Sequence, residues 1–136
     1  MSARATIEAY FNALTCGDAE QLITSISDTD HFVKIGTDEN EVVLGGNKAP
    51  EYYRNHVAST EAFTIQIKRL HVEERETIAW FFTEQTWILK WQAASEVLAI
   101  RLTGVLELEN KDWKFVQIHA SIGVSAEDAV DGCRVT

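Results

Sequence analysis

The sequence predicts an α+β fold in which three helices from the N-terminal half cover one face of a strongly curved, mostly antiparallel sheet. Three observations predict it. Apolar residues recur at helical spacing in the first half, and from Phe63 onward they alternate with a period of two. The links between the later runs are short and polar, as antiparallel hairpins require. Nothing but the helices is available to bury the sheet, so they must lie on one side of it.

Each element has its own signal. Ile7, Tyr10, Phe11 and Leu14 fall at i, i+3, i+4 and i+7, one apolar stripe of a first helix. Gly17 then serves as its C-terminal cap, and Asp18 caps a second helix beginning AEQLITSI. SDTD at 27 to 30 is a loop. HFVKIGT and EVVLGG are two short strands joined by a turn at DEN. Asn47 is positioned to cap a third helix whose first turn accommodates Pro50, with Tyr53 and Val57 on one side. The long strands are FTIQIKRLHV, TIAWFFTEQTWILKW, EVLAIRLTGVLEL and WKFVQIHASIGV, linked by EERE, QAAS and ENKD. A single domain over residues 1–124 and a polar C-terminal tail at 125–136 are expected.

Composition narrows the function. The chain has 136 residues, enough for one domain with a real core, and its 46% hydrophobic and 24% charged residues suit a globular protein. No apolar run reaches the roughly 18 residues of a membrane span, and the N-terminus lacks signal-peptide features, so a cytoplasmic location and no membrane partner are expected. A net charge of −9, with Lys68-Arg69 the longest basic cluster, argues against nucleic acid. Cys16 and Cys133 are far apart and form no CxxC. His31, His56, His71 and His119 show no metal-pair spacing, and no phosphate-cradling glycine loop occurs. Neither a metal nor a cofactor is expected.

Period-two alternation sorts the last strands into two faces. Leu98, Ile100, Leu102, Gly104, Leu106, Val116, Ile118, Ala120 and Ile122 form the apolar face, which belongs under the helices. Within it Gly104 and Ala120 are small and would leave a cavity unless a helix residue fills it. The other face carries Arg101, Thr103, Glu107, Trp113, Phe115, Gln117, His119 and Ser121. In TIAWFFTEQTWILKW neither face is cleanly polar, so the outer one needs a partner. A homodimer packing sheet on sheet would bury Trp80, Phe82, Glu84, Arg101, Trp113, Phe115, His119 and Ser121, with Glu84 paired across strands to Arg101.

The element order, the segment FVKIGTDENEVVLGG before a helix, and the ending DWKFVQIHASIG resemble the SnoaL-like group of the nuclear-transport-factor-2-like superfamily, over about residues 3 to 124. The last segment is also similar to the terminal strand of the association domain of calcium/calmodulin-dependent kinase II, with its W-x-x-V-H-F-H-x-S-G pattern. Trp113, Val116, His119 and Ser121 match; Gln117 and Ile122 depart from it, and Ala120 stands where some members place a pocket arginine. The resemblance implies a cone-shaped curved sheet, an internal cavity open at one end and frequent dimers. It also implies a choice among isomerases, dehydratases, cyclases and non-catalytic domains.

The leading expectation is a domain that binds an apolar or weakly polar small molecule between helices and sheet. Its lining would be Phe11, Tyr53, Phe81, Thr83, Gln85, Trp87, Leu102, Gly104, Ile118 and Ala120, with His31 near the mouth. The alternatives are an isomerase-, dehydratase- or cyclase-type enzyme and a purely oligomerising module. The enzyme would use His31 or an Asp of the 28-to-38 stretch, Asp38 included, beside Tyr53. His56 reads as a half-exposed helix residue. A Ser–His hydrolase built on His119 and Ser121 has no GxSxG elbow to support it.

Overall fold

The structure is a computed structural model, and it describes residues 1–91 and 93–126. The tail expected at 125–136, with Cys133, therefore lies mostly outside the described residues. Helix α1 spans Ala3–Cys16. The Ser2 hydroxyl accepts from the Ala5 N–H at its start, and Gly17 ends it at φ 70°, where a glycine has no Cβ penalty. Asp18 accepts from the Gln21 N–H and opens α2, Ala19–Thr24. Strands β1 (Val33–Ile35) and β2 (Val42–Leu44) form the short hairpin. A 3-10 turn at Gly46–Lys48 precedes α3, Ala49–Ser59, so Asn47 sits inside that turn and makes no cap.

The four long strands are β3 (Phe63–Glu74), β4 (Ile78–Trp91), β5 (Ala94–Glu109) and β6 (Asp112–Ile122). Asn110 and Lys111, both at positive φ, make the two-residue turn between β5 and β6. All six strands form one curved, unclosed sheet in the order β2-β1-β6-β5-β4-β3. Every pairing is antiparallel except β1 on β6. That parallel pair carries the hairpin to the sheet edge beside the helices.

The core lies between α1, α2, α3 and the inner face of the sheet, with Ile7, Tyr10, Leu22, Phe32, Tyr53, Leu106, Phe115 and Ile118 among its buried members. Strict alternation along β6 fails at one point. Val105 pairs with Gln117, but Leu106 pairs with Phe115, so Val116 is an extra residue. Such a bulge flips every side chain beyond it to the opposite face. Trp113 and Phe115 are therefore core residues and not interface aromatics. The Phe115 ring lies 4.9 Å from that of Tyr10, and its backbone bonds Ser25 and Ser27.

Two further expectations are corrected. Glu84 stands opposite Arg101 in register, but its ion partner is Arg69, 2.7 Å away, while Arg101 donates to Ser121. Gly104 lies outside the lining of the cavity near Ala120 and instead borders a shallow groove with Trp80, Phe82 and Gln117. A Cβ on it would overlap the Phe81 ring and stand 2.6 Å from the Gln117 carbonyl oxygen. Phe81 already fills the space that the small residue leaves.

Gly104→Ala should therefore lower stability by about 1–3 kcal/mol, as overpacking does. Chemical denaturation of the variant checks this, and an unchanged midpoint would contradict the packing of Phe81.

Candidate functional site

A cavity of about 160 Å³ opens near the other small residue, Ala120. Cavities of this order hold a single aromatic ring. Its walls differ in chemistry. The sheet side is apolar: Trp87 and Leu89 from β4, Leu98, Ile100 and Leu102 from β5, and Ala120 from β6. The polar groups come from the helices, from β1 at the other end of the sheet and from the turn after it. They are Tyr10 of α1, Lys34 of β1, Thr37 and Glu41 of the β1–β2 turn, and Tyr52, Tyr53 and His56 of α3, with Leu14 and Gly36 completing the lining.

The Tyr10 and Tyr53 hydroxyls, both buried, lie 2.6 Å apart. One donates to the other, and the acceptor keeps its own proton for a further partner. Burial raises both phenol pKa values above the ordinary range; for Tyr10 the bond to Tyr53 partly offsets the rise. Tyr52 donates to Glu41 Oε2 at 2.8 Å. Burial is again the largest cause of its raised pKa, followed by the bond and charge of Glu41. Glu41 reaches this position because Gly36 has no side chain: a Cβ there would lie 2.6 Å from the Glu41 carboxyl carbon.

His56 lies one helical turn after Tyr52, with the rings stacked at 6.0 Å. Its Nε2 is buried and, among the described residues, has no hydrogen-bond partner. Burial depresses its pKa, and the charge of Lys34 depresses it further, against an opposing pull from Glu41. The ring is thus neutral near pH 7 with a lone pair available. Lys34 is 9% exposed, its ammonium nitrogen 4.9 Å from the centre of the Tyr52 ring. Burial lowers its pKa, and Glu41 partly restores it.

Of the residues expected from sequence, Tyr53, Trp87, Leu102 and Ala120 line this cavity. Phe11, Phe81 and Ile118 are buried in the core outside the lining. Thr83 and Gln85 are buried outside the lining. The Trp87 indole donates to Gln85 Oε1 at 2.7 Å, Gln85 donates to the Thr83 hydroxyl, and Thr83 donates to the Arg69 carbonyl. These bonds fix the orientation of Trp87. His31 lies on the surface, 3.0 Å from Glu107, and Asp38 accepts from the Asn40 N–H in a turn. Neither lines the cavity. Tyr10, Tyr52, Lys34, Glu41 and His56 were missed. The Tyr52–His56 spacing of four was the available signal for two of them. Among the described residues no three His, Cys, Asp or Glu groups are arranged to hold a metal.

The model of the SnoaL-like domain matches residues 3–125, and the chain belongs to that family. No curated protein matches it. Solved structures share the fold at low identity. A proposed dehydratase of the nuclear-transport-factor-2-like family from Streptomyces avermitilis superposes with a TM-score of 0.80 at 16% identity, over 90% of this chain and 94% of that one. A proposed calcium/calmodulin-dependent kinase II association domain from Thiobacillus denitrificans gives 0.77 at 19%, over 90% and 96%. A proposed scytalone dehydratase from Novosphingobium aromaticivorans gives 0.75 at 10%, over 89% and 81%. The family supports a ligand-binding or enzyme-type domain. Among the described residues no helix is long and apolar enough to cross a membrane.

The chain has three tyrosines, and all of them line this cavity. Their folded pKa values lie above the unfolded value of about 10. The stability they contribute is thus complete below about pH 10 and is lost as pH rises above it, because only the unfolded chain can ionise them there. An alkaline titration followed at 295 nm should show tyrosinate appearing only together with loss of the folded circular-dichroism signal. Ionisation of any tyrosine in the intact fold would contradict the burial.

Proposed function

We propose that the domain is an acid–base catalyst of the isomerase or dehydratase class acting on a small, ring-sized compound that carries a carbonyl or hydroxyl oxygen. The observation that carries this reading is the buried Tyr10–Tyr53 hydroxyl pair, 2.6 Å apart, lining the same cavity as a neutral imidazole whose buried Nε2 has no hydrogen-bond partner among the described residues. A pocket used only to hold an apolar guest has no need of three phenols, an imidazole, an amine and a carboxylate. Of the expectations from sequence, the enzyme alternative is thus preferred to simple binding, with His56 in the place considered for His31 or Asp38.

In this reading the remaining hydroxyl proton of the tyrosine pair binds the substrate oxygen. It stabilises the negative charge that develops there when a proton leaves the neighbouring carbon. His56 takes that proton, a role suited to an imidazole that is neutral at pH 7. The proton can then return at another carbon, giving isomerisation. Alternatively a phenol can protonate a departing hydroxyl, giving dehydration. Trp87, Leu98, Ile100 and Leu102 exclude water and strengthen these interactions.

Cyclohexanone in D2O tests this without knowledge of the natural substrate. The protein should accelerate exchange of the α-protons in the NMR spectrum, and His56→Gln or Tyr53→Phe should reduce that acceleration by about 10²-fold or more. Equal exchange with the native protein and both variants would overturn the proposal.

We also propose that the protein forms a homodimer through the outer sheet face. Trp80 is 43% and Phe82 36% exposed there, beside Arg101 and His119, and the fold is shared with kinase association domains. Trp113 and Phe115 no longer belong to that surface. Sedimentation equilibrium at micromolar concentration should give a dimer that Trp80→Glu with Phe82→Glu converts to monomer. A monomeric native protein would refute the interface.

A further inference from the structure

Lys34 is the charged residue for which the acid–base scheme has no use. It sits at the middle of β1, between β2 and β6, where a core-facing position would ordinarily be apolar. Its side chain is more than nine-tenths buried in the cavity wall. Among the described residues no carboxylate oxygen comes within 4.0 Å of its nitrogen. The nearby acid is Glu41, whose two oxygens already accept from the Tyr52 hydroxyl at 2.8 Å and the Asp38 N–H at 3.3 Å. What the amine does touch is the face of the Tyr52 ring. A structural lysine at this depth is normally paired.

We propose that Lys34 is a covalent nucleophile that forms an imine with the carbonyl group of the substrate, so that the cavity takes small cyclic ketones or aldehydes. The inference rests on the reading of the cavity as an acid–base site for an oxygen-bearing ring. Desolvation favours the neutral amine, which is the form that attacks. The neighbours supply the remaining parts. The amine lone pair adds to the carbonyl carbon, the carbonyl oxygen takes a proton from a wall hydroxyl, and that hydroxyl regains one from the new ammonium nitrogen, giving a neutral carbinolamine. The nitrogen then loses its proton as the carbinolamine hydroxyl is protonated and leaves as water, and the C=N bond forms. One carbonyl compound and one amine give one imine and one water, with no oxidant or reductant. Once protonated, the imine acidifies the adjacent carbon more strongly than the ketone does, and His56 lines the same cavity to take that proton. The apolar sheet wall of Trp87, Leu102 and Ala120 fits a hydrocarbon ring.

The test uses cyclohexanone with sodium cyanoborohydride at pH 7, followed by peptide mapping, on the full native chain. The reductant converts the imine to a stable secondary amine. The expected result is label concentrated on Lys34 over every other lysine, with loss of that labelled peptide in Lys34→Met. Lys34→Arg, which keeps the charge and cannot form an imine, should lose α-proton exchange as fully as Lys34→Met does. Thermal melts confirm that both variants are folded. If Lys34 is not labelled above the surface lysines, while native protein still exchanges α-protons and His56→Gln does not, the imine is overturned and the acid–base reading survives. Exchange in Lys34→Arg equal to native overturns it likewise. If native protein neither labels at Lys34 nor accelerates exchange, both readings fall. A Lys34-dependent preference for benzoate over benzamide, without labelling, would make the ammonium an anchor for anions and also overturn the imine.

Discussion

Strand β6 has to serve two different neighbours, and one extra residue, Val116, lets it do so. On the N-terminal side of the bulge, Trp113 and Phe115 turn under the helices. Phe115 meets Tyr10 and Phe81 there, while its backbone bonds the segment after α2. On the C-terminal side, Ile118 and Ala120 face inward and Gln117 and His119 outward. A regular strand of this sequence would expose a phenylalanine and a tryptophan and leave the helices without their packing surface. The bulge therefore anchors α1 through the Tyr10–Phe115 contact. By fixing α1 it places the Tyr10 hydroxyl against Tyr53. The parallel pairing of β1 on the C-terminal half of the same strand brings Lys34 and the Glu41 turn to the cavity from the other side.

The polar wall is expensive to hold in this form. Buried phenols, an amine and an imidazole each lose hydration, and only some of that loss is returned by hydrogen bonds. The Tyr10–Tyr53 and Tyr52–Glu41 bonds satisfy their groups well, whereas among the described residues His56 Nε2 and the Lys34 amine find no strong partner. Groups in that condition cluster where function requires them. The two under-satisfied nitrogens line one cavity, together with every tyrosine of the chain. The rest of the lining, from β4, β5 and β6, is hydrocarbon. This separation of a reactive side from a passive side suits a ligand that is polar at one end and apolar along the rest.

Much of the fold was legible because its signals are local. Helix α1 ends at a glycine in the left-handed region and α2 begins at an aspartate cap, both readable from residue type and spacing; the β5–β6 link was read as ENKD, of which only Asn110 and Lys111 make the turn. Part of the site was legible too: Tyr53, Trp87, Leu102 and Ala120 lie on the inward faces of their elements. Alternation misled wherever the backbone departed from regularity. Val116 shifted Trp113 and Phe115 inward, and Lys34, flanked by two apolar residues in a short strand, was read past although it is the buried one of the three. Gly104 misled for a different reason. A small residue marks a hole only if no neighbour leans into it, and Phe81 on the adjacent strand does.

The sequence by itself determined the elements, their order and most of the helix-covered face of the sheet. These follow from periodicity and turn chemistry, which act over a few residues. Only the tertiary structure decided which polar groups share the cavity. Tyr10 and Tyr53 are 43 residues apart, and Glu41, Lys34 and His56 come from three different elements. Whether such groups meet depends on the bulge in β6, the parallel docking of β1 and the glycine that lets Glu41 fold back. Their protonation depends in turn on depth and on one another's charge, because in a buried site each lost water and each nearby charge shifts the balance. No residue type carries that information alone.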